Sequence, residues 1–587
     1  MRFNIFVLPF FLGLIFILSY VIRKFILWQS QLLAEDRRKI RKGFFSRRFL
    51  TASKEVFYES LLHRKMFRIN PLMGYMHMSF ALGWLLLIVV GNIESRLYNV
   101  KEINLPYYPI FLKFFVHDKG DIPYPKLFGA TMDFLLLAIN VGLAIALFKR
   151  VNSRVLGMKR TTRMETVDKI GLYSLWMIFP MRLMAESSSS AIYHNGGFLT
   201  GTLGHAFSGL ASIETINYGF WWAYSIALGT FFFALPFTRY MHIPTEVFLI
   251  YLRNFGVSYK NNKKVMEQVD VHACSRCGVC IDACQLSHAI QANGMLPAHY
   301  FKAVREGKVK DKYTLECMMC GRCKSICPVG VETLEIRSAQ REKIAPSFEK
   351  NRTFQLPASL KTAEVAYFAG CMGHLTPSVI QSMKTVFQKA GVSYVFVDED
   401  AGICCGRPQL LAGLNDIASE LQKQNKKRIE ETGAKTLVTS CPICLNVFKK
   451  EYKLNIRVLH HTEYLAELTE TGRLKLKPGT ETFTYHEPCE LNRGLGIRKE
   501  PNKLLSSLGN FKPLEESLGG FCCGGSLGGI QLSEKERAAV AADTAVKLKM
   551  VNASQIVTAC PLCKSTLKRN SDVPVRDVAE LVAGQIV

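Results

Sequence analysis

The chain has 587 residues, of which 49% are hydrophobic and only 21% are charged, and its net charge is +26. This composition is too apolar for a disordered protein, and the length allows three or four domains. All 18 cysteines lie between Cys274 and Cys563, at short spacings that favour metal ligation over a disulfide framework. Because the sequence lacks a nucleic-acid recognition motif, we attribute the positive charge to membrane-flanking loops and a basic surface, and we expect no nucleic-acid partner.

Apolar segments dominate the first half of the chain. Residues 4–28 are long enough to cross a bilayer and no small-residue cleavage site follows them, so we interpret them as an uncleaved helix. The five predicted spans are 4–28, 72–93, 127–148, 169–190 and 217–237, and they make residues 1–250 a transmembrane anchor with a five-helix bundle fold.

The loops predict how the anchor is oriented. Lys and Arg are abundant in residues 37–68 and 149–163, whereas residues 183–238 contain neither. The positive-inside rule therefore places the N-terminus outside and everything after Arg239 in the cytoplasm. We expect a multi-pass protein of the inner or cytoplasmic membrane whose cysteine-rich half lies in a reducing compartment.

Asp133, Arg182, Glu186 and His77 lie within the predicted spans and are functional candidates, because charge is costly at this depth. Arg182 and Glu186 are four residues apart, so they lie on one helical face and can pair. We predict that they contact quinone, with snorkelling near a helix end as the alternative. His77 lies near the cytoplasmic end of the second predicted span.

Five spans that end in LPFTRYMHIP (235–244) resemble the cytochrome b anchor of the nitrate reductase gamma subunit and heterodisulfide reductase families. In those families histidines on spans two, four and five hold b haems, and the resemblance makes His77 one ligand. Leu87 and Tyr224 stand where further histidines are expected, which leaves His194 or His205 as the source of a second ligand. We therefore favour an anchor without haem b, in which His77 faces quinone, over one that holds a haem.

Eight cysteines follow in two runs. These runs are Cys274-x2-Cys277-x2-Cys280-x3-Cys284 and Cys317-x2-Cys320-x2-Cys323-x3-Cys327. The spacing is that of the bacterial two-cluster ferredoxin, in which the last cysteine of each run ligates the other cluster. We predict two cubane [4Fe–4S] clusters in residues 262–345, one held by Cys274, Cys277, Cys280 and Cys327, the other by Cys317, Cys320, Cys323 and Cys284. Zinc on a CxxC pair is the weaker alternative.

The ferredoxin segment departs from the short bacterial pattern in two ways. Gln285 stands where a proline usually follows the fourth cysteine, and the 32 residues between the runs include a helical-looking insert around Ala298–Glu306. The insert resembles the helical ferredoxins of succinate dehydrogenase type, so we expect an all-α or α+β fold.

The last third of the chain is a duplication. AYFAGCMGHL (366–375) aligns with TYHEPCELNR (484–493), and LVTSCPICLNVFK (437–449) aligns with IVTACPLCKSTLK (556–568), at offsets of 118 and 119 residues. Each copy has five cysteines, which are Cys371, Cys404, Cys405, Cys441 and Cys444 in the first copy and Cys489, Cys522, Cys523, Cys560 and Cys563 in the second. Strand-like and helical runs alternate around them, which predicts two α/β domains, 362–470 and 480–585, with the cysteines at strand ends.

The adjacent cysteines in each copy are unsuited to a disulfide. Neighbouring Cα atoms lie about 3.8 Å apart, which is shorter than the usual disulfide span. The order Cys, Cys-Cys-Gly, CPxC is similar to the CCG domain of the catalytic heterodisulfide reductase subunit. The resemblance implies one noncubane [4Fe–4S] cluster per copy, held by all five cysteines, and makes the ten cysteines catalytic. A structural pseudo-repeat, a conventional cubane, or zinc on each CPxC pair are the alternatives.

Four histidines lie near these motifs: His374, His460, His461 and His486. His486 is three residues before Cys489, so it could donate to a cluster sulfur or relay protons. We favour the plainer interpretation of a histidine packed at a strand end.

The order of the predicted domains indicates an electron-transfer enzyme. No GxGxxG loop follows a strand, so we expect no flavin or nicotinamide of the chain's own and hence a cytoplasmic redox partner. The order of an anchor, a ferredoxin and two CCG domains resembles membrane-anchored electron-transfer-flavoprotein:menaquinone oxidoreductases. This resemblance implies an oxidoreductase between an electron-transfer flavoprotein and membrane quinone. A thiol/disulfide reductase like heterodisulfide reductase and an electron-transfer scaffold within a larger membrane complex are the alternatives.

Overall fold

The computed structural model describes residues 3–98, 105–117, 124–152, 164–346, 361–400, 403–516 and 518–587. Residues 153–163 of the basic loop used for the orientation argument lie outside them. The chain forms two compact units, Met1–Gly278 and Val279–Val587.

The first unit is helical throughout its described part. Its α-helices are Leu8–Ser30, Ala34–Phe44, Arg47–Glu55, Arg64–Ile69, Pro71–Met78, Trp84–Tyr98, Leu112–Phe115, Pro125–Val151, Thr166–Tyr193, Phe198–Phe207, Ile213–Ala234, His242–Asn254 and Lys263–Ala273. Short 3-10 segments (Ile5–Val7, Leu235–Phe237 and Arg239–Met241) and π segments (Val56–Leu61 and Ser79–Gly83) join some of them into longer helices.

Four helices in the described part of this unit are long and apolar enough to cross a membrane. They are Ile5–Ser30, Pro71–Tyr98, Pro125–Val151 and Ile213–Phe237. The predicted span at 169–190 falls within a fifth helix, Thr166–Tyr193, which has 28 residues but contains Pro180 and buries the polar side chains Arg182, Glu186 and Ser187–Ser190. The count of five spans is therefore not confirmed, because this helix packs polar residues against its neighbours.

Glycines allow the first and last of these apolar helices to pack closely. A Cβ atom added to Gly229 would lie 2.4 Å from the carbonyl oxygen of Pro9, and one added to Gly13 would lie 2.9 Å from the Cα of Gly229. Small residues at such contacts allow close backbone approach between membrane helices. Phe6 and Phe111 pack edge to face beside this contact, with ring centroids 5.2 Å apart.

The second unit contains helices and two small parallel sheets. Its α-helices are Val279–Asp282, Gln285–Ala289, Pro297–Arg305, Asp311–Leu315, Arg322–Ile326, Thr333–Ile344, Cys371–His374, Pro377–Lys389, Arg407–Ala412, Asn415–Glu431, Pro442–Lys450, His461–Glu470, Asn492–Leu495, Lys499–Ser507, Glu534–Lys549, Pro561–Arg569 and Val578–Ala583. Its strands are β1 (Val365–Phe368), β2 (Tyr394–Phe396), β3 (Thr436–Thr439), β4 (Arg457–His460), β5 (Thr482–His486), β6 (Asn510–Phe511), β7 (Gln555–Thr558) and β8 (Val575–Asp577).

The described residues of the ferredoxin segment, which we predicted as all-α or α+β, form helices and no strand. The helix Pro297–Arg305 occupies the predicted insert between the cysteine runs. Its buried face includes Ala298, Tyr300 and Phe301.

The duplication is visible in the two sheets. Their strand orders are β2-β1-β3-β4 and β6-β5-β7-β8, and every pair is parallel. Parallel strands need crossover helices, which matches the predicted alternation. In both copies the cysteines follow the carboxyl ends of the first three strands, where α/β folds place their sites.

The two copies share one hydrophobic core. Tyr367, Phe387 and Val438 of the first copy belong to the same buried cluster as Leu505 and Val582 of the second, and each of these side chains is fully buried. The repeats are therefore built as one body.

Candidate redox sites

Three cysteines of the second ferredoxin run form a compact group of thiols with Cys284, the last cysteine of the first run. Cys284, Cys317, Cys320 and Cys323 line one cavity, and the thiols of Cys317 and Cys320 lie close enough to disfavour ionisation of Cys323. Burial, with this repulsion, raises the pKa of Cys323 to about 12. This is the set that the spacing assigned to one cubane cluster.

The other predicted set is divided between the units. Cys274 and Cys277 end the first unit, whereas Cys280 and Cys327 belong to the second. Burial raises the pKa of Cys274 to about 11, and the nearby Cys277 adds to the effect. Shared ligation by these four cysteines stays a prediction.

In the first CCG copy, the five cysteines meet beyond the ends of β1, β2 and β3. The thiol of Cys405 hydrogen-bonds those of Cys404 and Cys444, which holds the pKa of Cys405 well below its usual range. Cys444 also bonds Cys441. Cys371 differs from the rest because much of the residue is exposed to solvent. Its thiol is nevertheless partly removed from water, and this desolvation, with the nearby thiols of Cys441 and Cys405, raises its pKa to about 11.

The second copy repeats this arrangement. Cys522 hydrogen-bonds Cys489 and Cys523, and Cys563 bonds Cys523 and Cys560. A small cavity is lined by Cys489, Cys523, Cys560 and Cys563 together with Pro442 and Ile443 of the first copy. The first CPxC segment thus closes the second site.

Backbone geometry leaves room for a bulky group beside these thiols. Gly370, with φ of +76°, precedes Cys371, and a Cβ there would lie 2.8 Å from the sulfur of Cys444. Gly406 and Gly524 follow the two doublets with φ of +86° and +85°, a conformation that favours glycine. A Cβ at Gly406 would meet the backbone of Ala418 and one at Gly524 that of Arg537, so both turns pack closely against a helix that follows.

The donor sets fit iron–sulfur clusters. All eighteen cysteines are present as thiols, and thiolates are the usual ligands of such clusters. Within the described residues no three metal-binding side chains converge as ligands of a single ion do, so the fit rests on the cavities and on the thiol sets.

In the first unit, Arg182 and Glu186 form the predicted pair. The Nε of Arg182 donates to Glu186 Oε1 at 2.8 Å, and Arg182 also donates to the hydroxyl of Tyr224. Their exposed fractions are 4% and 6%, so the pair lies among packed helices and the snorkelling alternative does not describe it.

A second polar region near this pair surrounds a larger cavity. Buried Glu94 pairs with Lys113 at 3.5 Å, and both line the cavity with Tyr98, Lys126 and Asn195. Asp133 accepts hydrogen bonds from the backbone of Leu199 and Thr200, at 2.7 and 3.0 Å, at the start of the helix Phe198–Phe207.

His77 lies in a cluster that sequence reasoning missed. Its ring is 5.2 Å from that of His63, and His242 lies near enough for its charge to act on both. Burial lowers the pKa of His242 to about 4, and its Nδ1 contacts the carbonyl oxygen of Arg239 at 2.7 Å. His242 lies within the motif LPFTRYMHIP (235–244), which could have identified it from the sequence. No motif in the sequence analysis includes His63.

Two further groups flank these histidines. Glu246 is buried and accepts from Ser60 at 3.1 Å, and burial raises the pKa of Glu246 to about 7. Lys149 lies near enough to Cys277 for their charges to interact. The first unit therefore brings the histidine cluster and the start of the ferredoxin segment to the same end of its helices.

His194 and His205 do not share this end. Asp168, which pairs with Arg276 at 2.8 Å, and His194 stand at opposite ends of one helix. At about 1.5 Å per residue the helix separates them by roughly 40 Å. Neither histidine can therefore join His77 at one haem, since His205 ends the helix that follows His194.

Of the histidines near the CCG motifs, His486 is held by packing contacts. Its two ring nitrogens lie 3.1 Å from Thr558 Oγ1 and 3.2 Å from the carbonyl oxygen of Phe521. His461 is fully buried against Asp577 at 3.1 Å. His374 is half-buried, with Nε2 3.4 Å from Asp398, and this carboxylate raises its pKa.

The comparisons with known proteins match this organisation. A model of the cysteine-rich domain CCG matches residues 365–449 and 483–568, and a model of the 4Fe-4S dicluster domain matches residues 270–331.

Three relatives show the range of similar proteins. One component of the dihydromethanophenazine:CoB--CoM heterodisulfide reductase of Methanosarcina barkeri is 26% identical over 393 residues, covering 55% of this chain and 95% of that protein. One component of the fumarate reductase (CoM/CoB) of Methanothermobacter marburgensis is 28% identical over 305 residues, covering 45% and 60%. EtfAB:quinone oxidoreductase of Syntrophomonas wolfei is 29% identical over 256 residues, covering 39% and 35%.

These matches and the cysteine sets define an iron–sulfur oxidoreductase with apolar helices suited to membrane association. The chain contains two cysteine-rich CCG domains and a 4Fe-4S dicluster domain, and about half of its length is similar to the heterodisulfide reductase component.

Proposed function

We propose that this oxidoreductase passes electrons between an electron-transfer flavoprotein and membrane quinone. The observation that carries the proposal is the presence, in one chain, of apolar helices, a dicluster ferredoxin segment and two complete CCG cysteine sets. A relative named EtfAB:quinone oxidoreductase supports the choice of partners. The proposal includes a fifth membrane span at 169–190 and an N-terminus on the outer side of the membrane.

The cysteines would hold four clusters. The eight ferredoxin cysteines would hold two cubane clusters in the predicted sets, and each group of five CCG cysteines would hold one noncubane [4Fe–4S] cluster. When bound, such clusters accept and pass on single electrons. The protein's part is to bury the thiols and to keep side chains off the sulfurs, as Gly370 does beside Cys444.

We place the quinone head group at the histidine cluster rather than at the buried Arg182–Glu186 pair. The imidazoles of His63, His77 and His242 can hydrogen-bond quinone oxygens, and at this end of the helices Lys149 lies near enough to Cys277 for their charges to interact. Reduction of a quinone to a quinol takes up two electrons and two protons. Glu246, whose pKa is about 7, can hold a proton there at neutral pH.

The test is electron transfer by purified protein in vesicles that contain menaquinone. We expect reduced electron-transfer flavoprotein to be oxidised in a quinone-dependent way, and His77→Ala to slow quinone reduction at least about tenfold. His205→Ala is the matched control, because His205 lies outside the cluster. Flavoprotein oxidation that does not depend on quinone would contradict the proposal.

A second candidate, reduction of a disulfide, is favoured by one feature of the first CCG copy. Exposed Cys371 is followed one helical turn later by His374, which Asp398 helps to protonate. Cleavage of a disulfide to two thiols needs two electrons and two protons, and His374 could supply a proton. If only a disulfide is turned over and the flavoprotein does not bind, this candidate replaces the first.

Metal and haem analysis tests the cofactors. Four four-iron clusters predict about sixteen irons per chain, whereas about eight would leave the CCG cysteines without clusters. We favour an anchor without haem b; a pyridine haemochrome spectrum with a b-type band would contradict this. A protein with full iron that turns over neither substrate would fit the scaffold alternative.

A further inference from the structure

The ferredoxin segment is joined to the second CCG copy at a cysteine of each. Cys320 of the second ferredoxin run hydrogen-bonds Cys522, and Cys522 lines the same cavity as Cys284, Cys317 and Cys323. Gln285, which stands where proline is usual, accepts from the backbone N–H of Cys522 at 2.6 Å. Its amide nitrogen donates to Thr544 at 2.9 Å. The unusual residue therefore attaches the ferredoxin segment to this copy.

Two arginines strengthen the same contact. Arg493 donates to the carbonyl oxygen of Cys320 at 2.7 Å and to that of Gly520 at 2.7 Å. Arg322 reaches in the other direction, donating to Glu516 at 3.1 Å and to the carbonyl oxygen of Gly520. Charge-assisted bonds of this kind fix orientation. The face of the second copy beside Cys489 is thus occupied by an iron–sulfur segment of the same chain.

The matching face of the first copy is open. In the repeat alignment Cys489 corresponds to Cys371 and Arg493 to Leu375. Cys371 is exposed where Cys489 is half-buried, and the side chain of Leu375 is 72% exposed. The two sites are also adjacent, because the thiol of Cys441 lies close enough to raise the pKa of Cys560.

We propose that the second CCG copy is an internal relay, and that an electron-transfer flavoprotein docks on the first copy around Cys371 and Leu375. This inference rests on the proposed function. The face that holds an electron-carrying segment on one repeat is exposed at Cys371 and Leu375 on the other, as far as the described residues show. A second electron-carrying protein is therefore the occupant that the duplication suits. Electrons then pass between the flavoprotein and the first copy, next to the second copy, and next to the ferredoxin site that contains Cys320.

Docking is tested by binding of electron-transfer flavoprotein to the full-length protein with its clusters. Leu375→Glu places a charge in the proposed contact, and Met550→Glu is the matched control, since Met550 is also 72% exposed but lies in the second copy. We expect Leu375→Glu to weaken binding at least about tenfold and Met550→Glu to leave it unchanged. If the two variants bind the flavoprotein with equal affinity, the proposed docking site is wrong, while the proposed function is unaffected. If the flavoprotein does not bind the wild-type protein, the proposed function is wrong, and the flavoprotein is not the partner that docks on the first copy.

Electron paramagnetic resonance of the reduced protein tests the order in which electrons pass through the two copies. We expect Cys489→Ser to abolish magnetic coupling to the cluster site of Cys284, Cys317, Cys320 and Cys323, and Cys371→Ser to preserve it. Each variant should lose about four irons. Loss of coupling in Cys371→Ser but not in Cys489→Ser would overturn the relay, whereas unchanged iron in both variants would instead contradict the proposed clusters.

Discussion

Glu246 shows how one buried carboxyl group can link stability to pH. Burial raises its pKa from 4.5 to about 7. The folded protein therefore keeps this proton in a range where the unfolded chain has released it. Stability from this group is complete below pH 4.5 and is lost as pH rises towards 7. At 1.36 kcal/mol per pH unit, the loss amounts to about 3 kcal/mol.

We predict that Glu246→Gln removes this loss, because glutamine keeps the shape and cannot ionise. The melting temperature of the variant in detergent should exceed that of the wild type above pH 7, and the difference should disappear near pH 4.5. Glu214→Gln, at an exposed position in the first turn of a helix, is the control. Parallel stability curves for Glu246→Gln and the wild type would show that the carboxyl group is not held protonated.

At the same scale, the sequence predicted thiols better than histidines. Ligand spacing within a run is local, so the set of Cys317, Cys320 and Cys323 could be identified from the chain alone. His63 lies 14 residues before His77 and His242 lies 165 residues after it, and both reach His77 only through the packing of separate segments. No spacing rule reports such a contact, which is why the cluster was missed.

At the scale of elements, sequence patterns predicted the alternation of strands and helices in the CCG copies. Among these alternating runs, the strand-like sequence VSYVFVD (392–398) contains β2, and the helical sequence 419–433 overlaps the observed helix Asn415–Glu431. The helix Thr166–Tyr193 shows the limit of hydropathy. Its buried Arg182 and Glu186 satisfy each other, and this pairing depends on neighbours that a window of sequence does not include.

The helices Leu8–Ser30 and Ile213–Ala234 approach each other closely, and substitution of a glycine at their contact tests this packing. Gly229→Leu would place a side chain against the backbone of Pro9, so we expect the two helices to separate and thermal stability to fall by several kcal/mol. Gly219→Leu on the same helix is the control, because a Cβ there has nothing within 4 Å. The measurement is thermal unfolding in detergent. Equal melting temperatures for the two variants would contradict the close packing.

At the scale of the whole molecule, the duplication could be predicted but its asymmetry could not. Equal cysteine sets predicted one cluster in each copy and left open whether the two sites act alike. The structure distinguishes them because Arg493 and Gln285 attach the ferredoxin segment to the second copy, whereas Leu375 occupies the position of Arg493 in the first. The side chains that attach the ferredoxin segment to one repeat are not cluster ligands. The spacing of the cysteines therefore does not predict which repeat the segment covers.

At this scale Arg341 joins three parts of the second unit. Its fully buried guanidinium donates to the carbonyl oxygens of Thr314 and Cys317 in the ferredoxin segment at 3.0 and 2.9 Å. It also donates to Leu411 of the first CCG copy at 2.6 Å and to Gly528 of the second at 2.7 Å. A lysine cannot reproduce this fork of donors. Each buried carbonyl oxygen left without a donor costs about 1–3 kcal/mol.

We therefore expect Arg341→Lys to uncouple the ferredoxin segment from the CCG copies. Calorimetry of the protein with its clusters should show the single unfolding transition of this unit divide into two. Arg337→Lys is the matched control, because Arg337 donates to Tyr313 and Met295 within the ferredoxin segment. It should lower the stability of that segment without uncoupling it from the CCG copies. If Arg341→Lys and Arg337→Lys unfold alike, the three parts are held together by the shared apolar packing rather than by this one guanidinium.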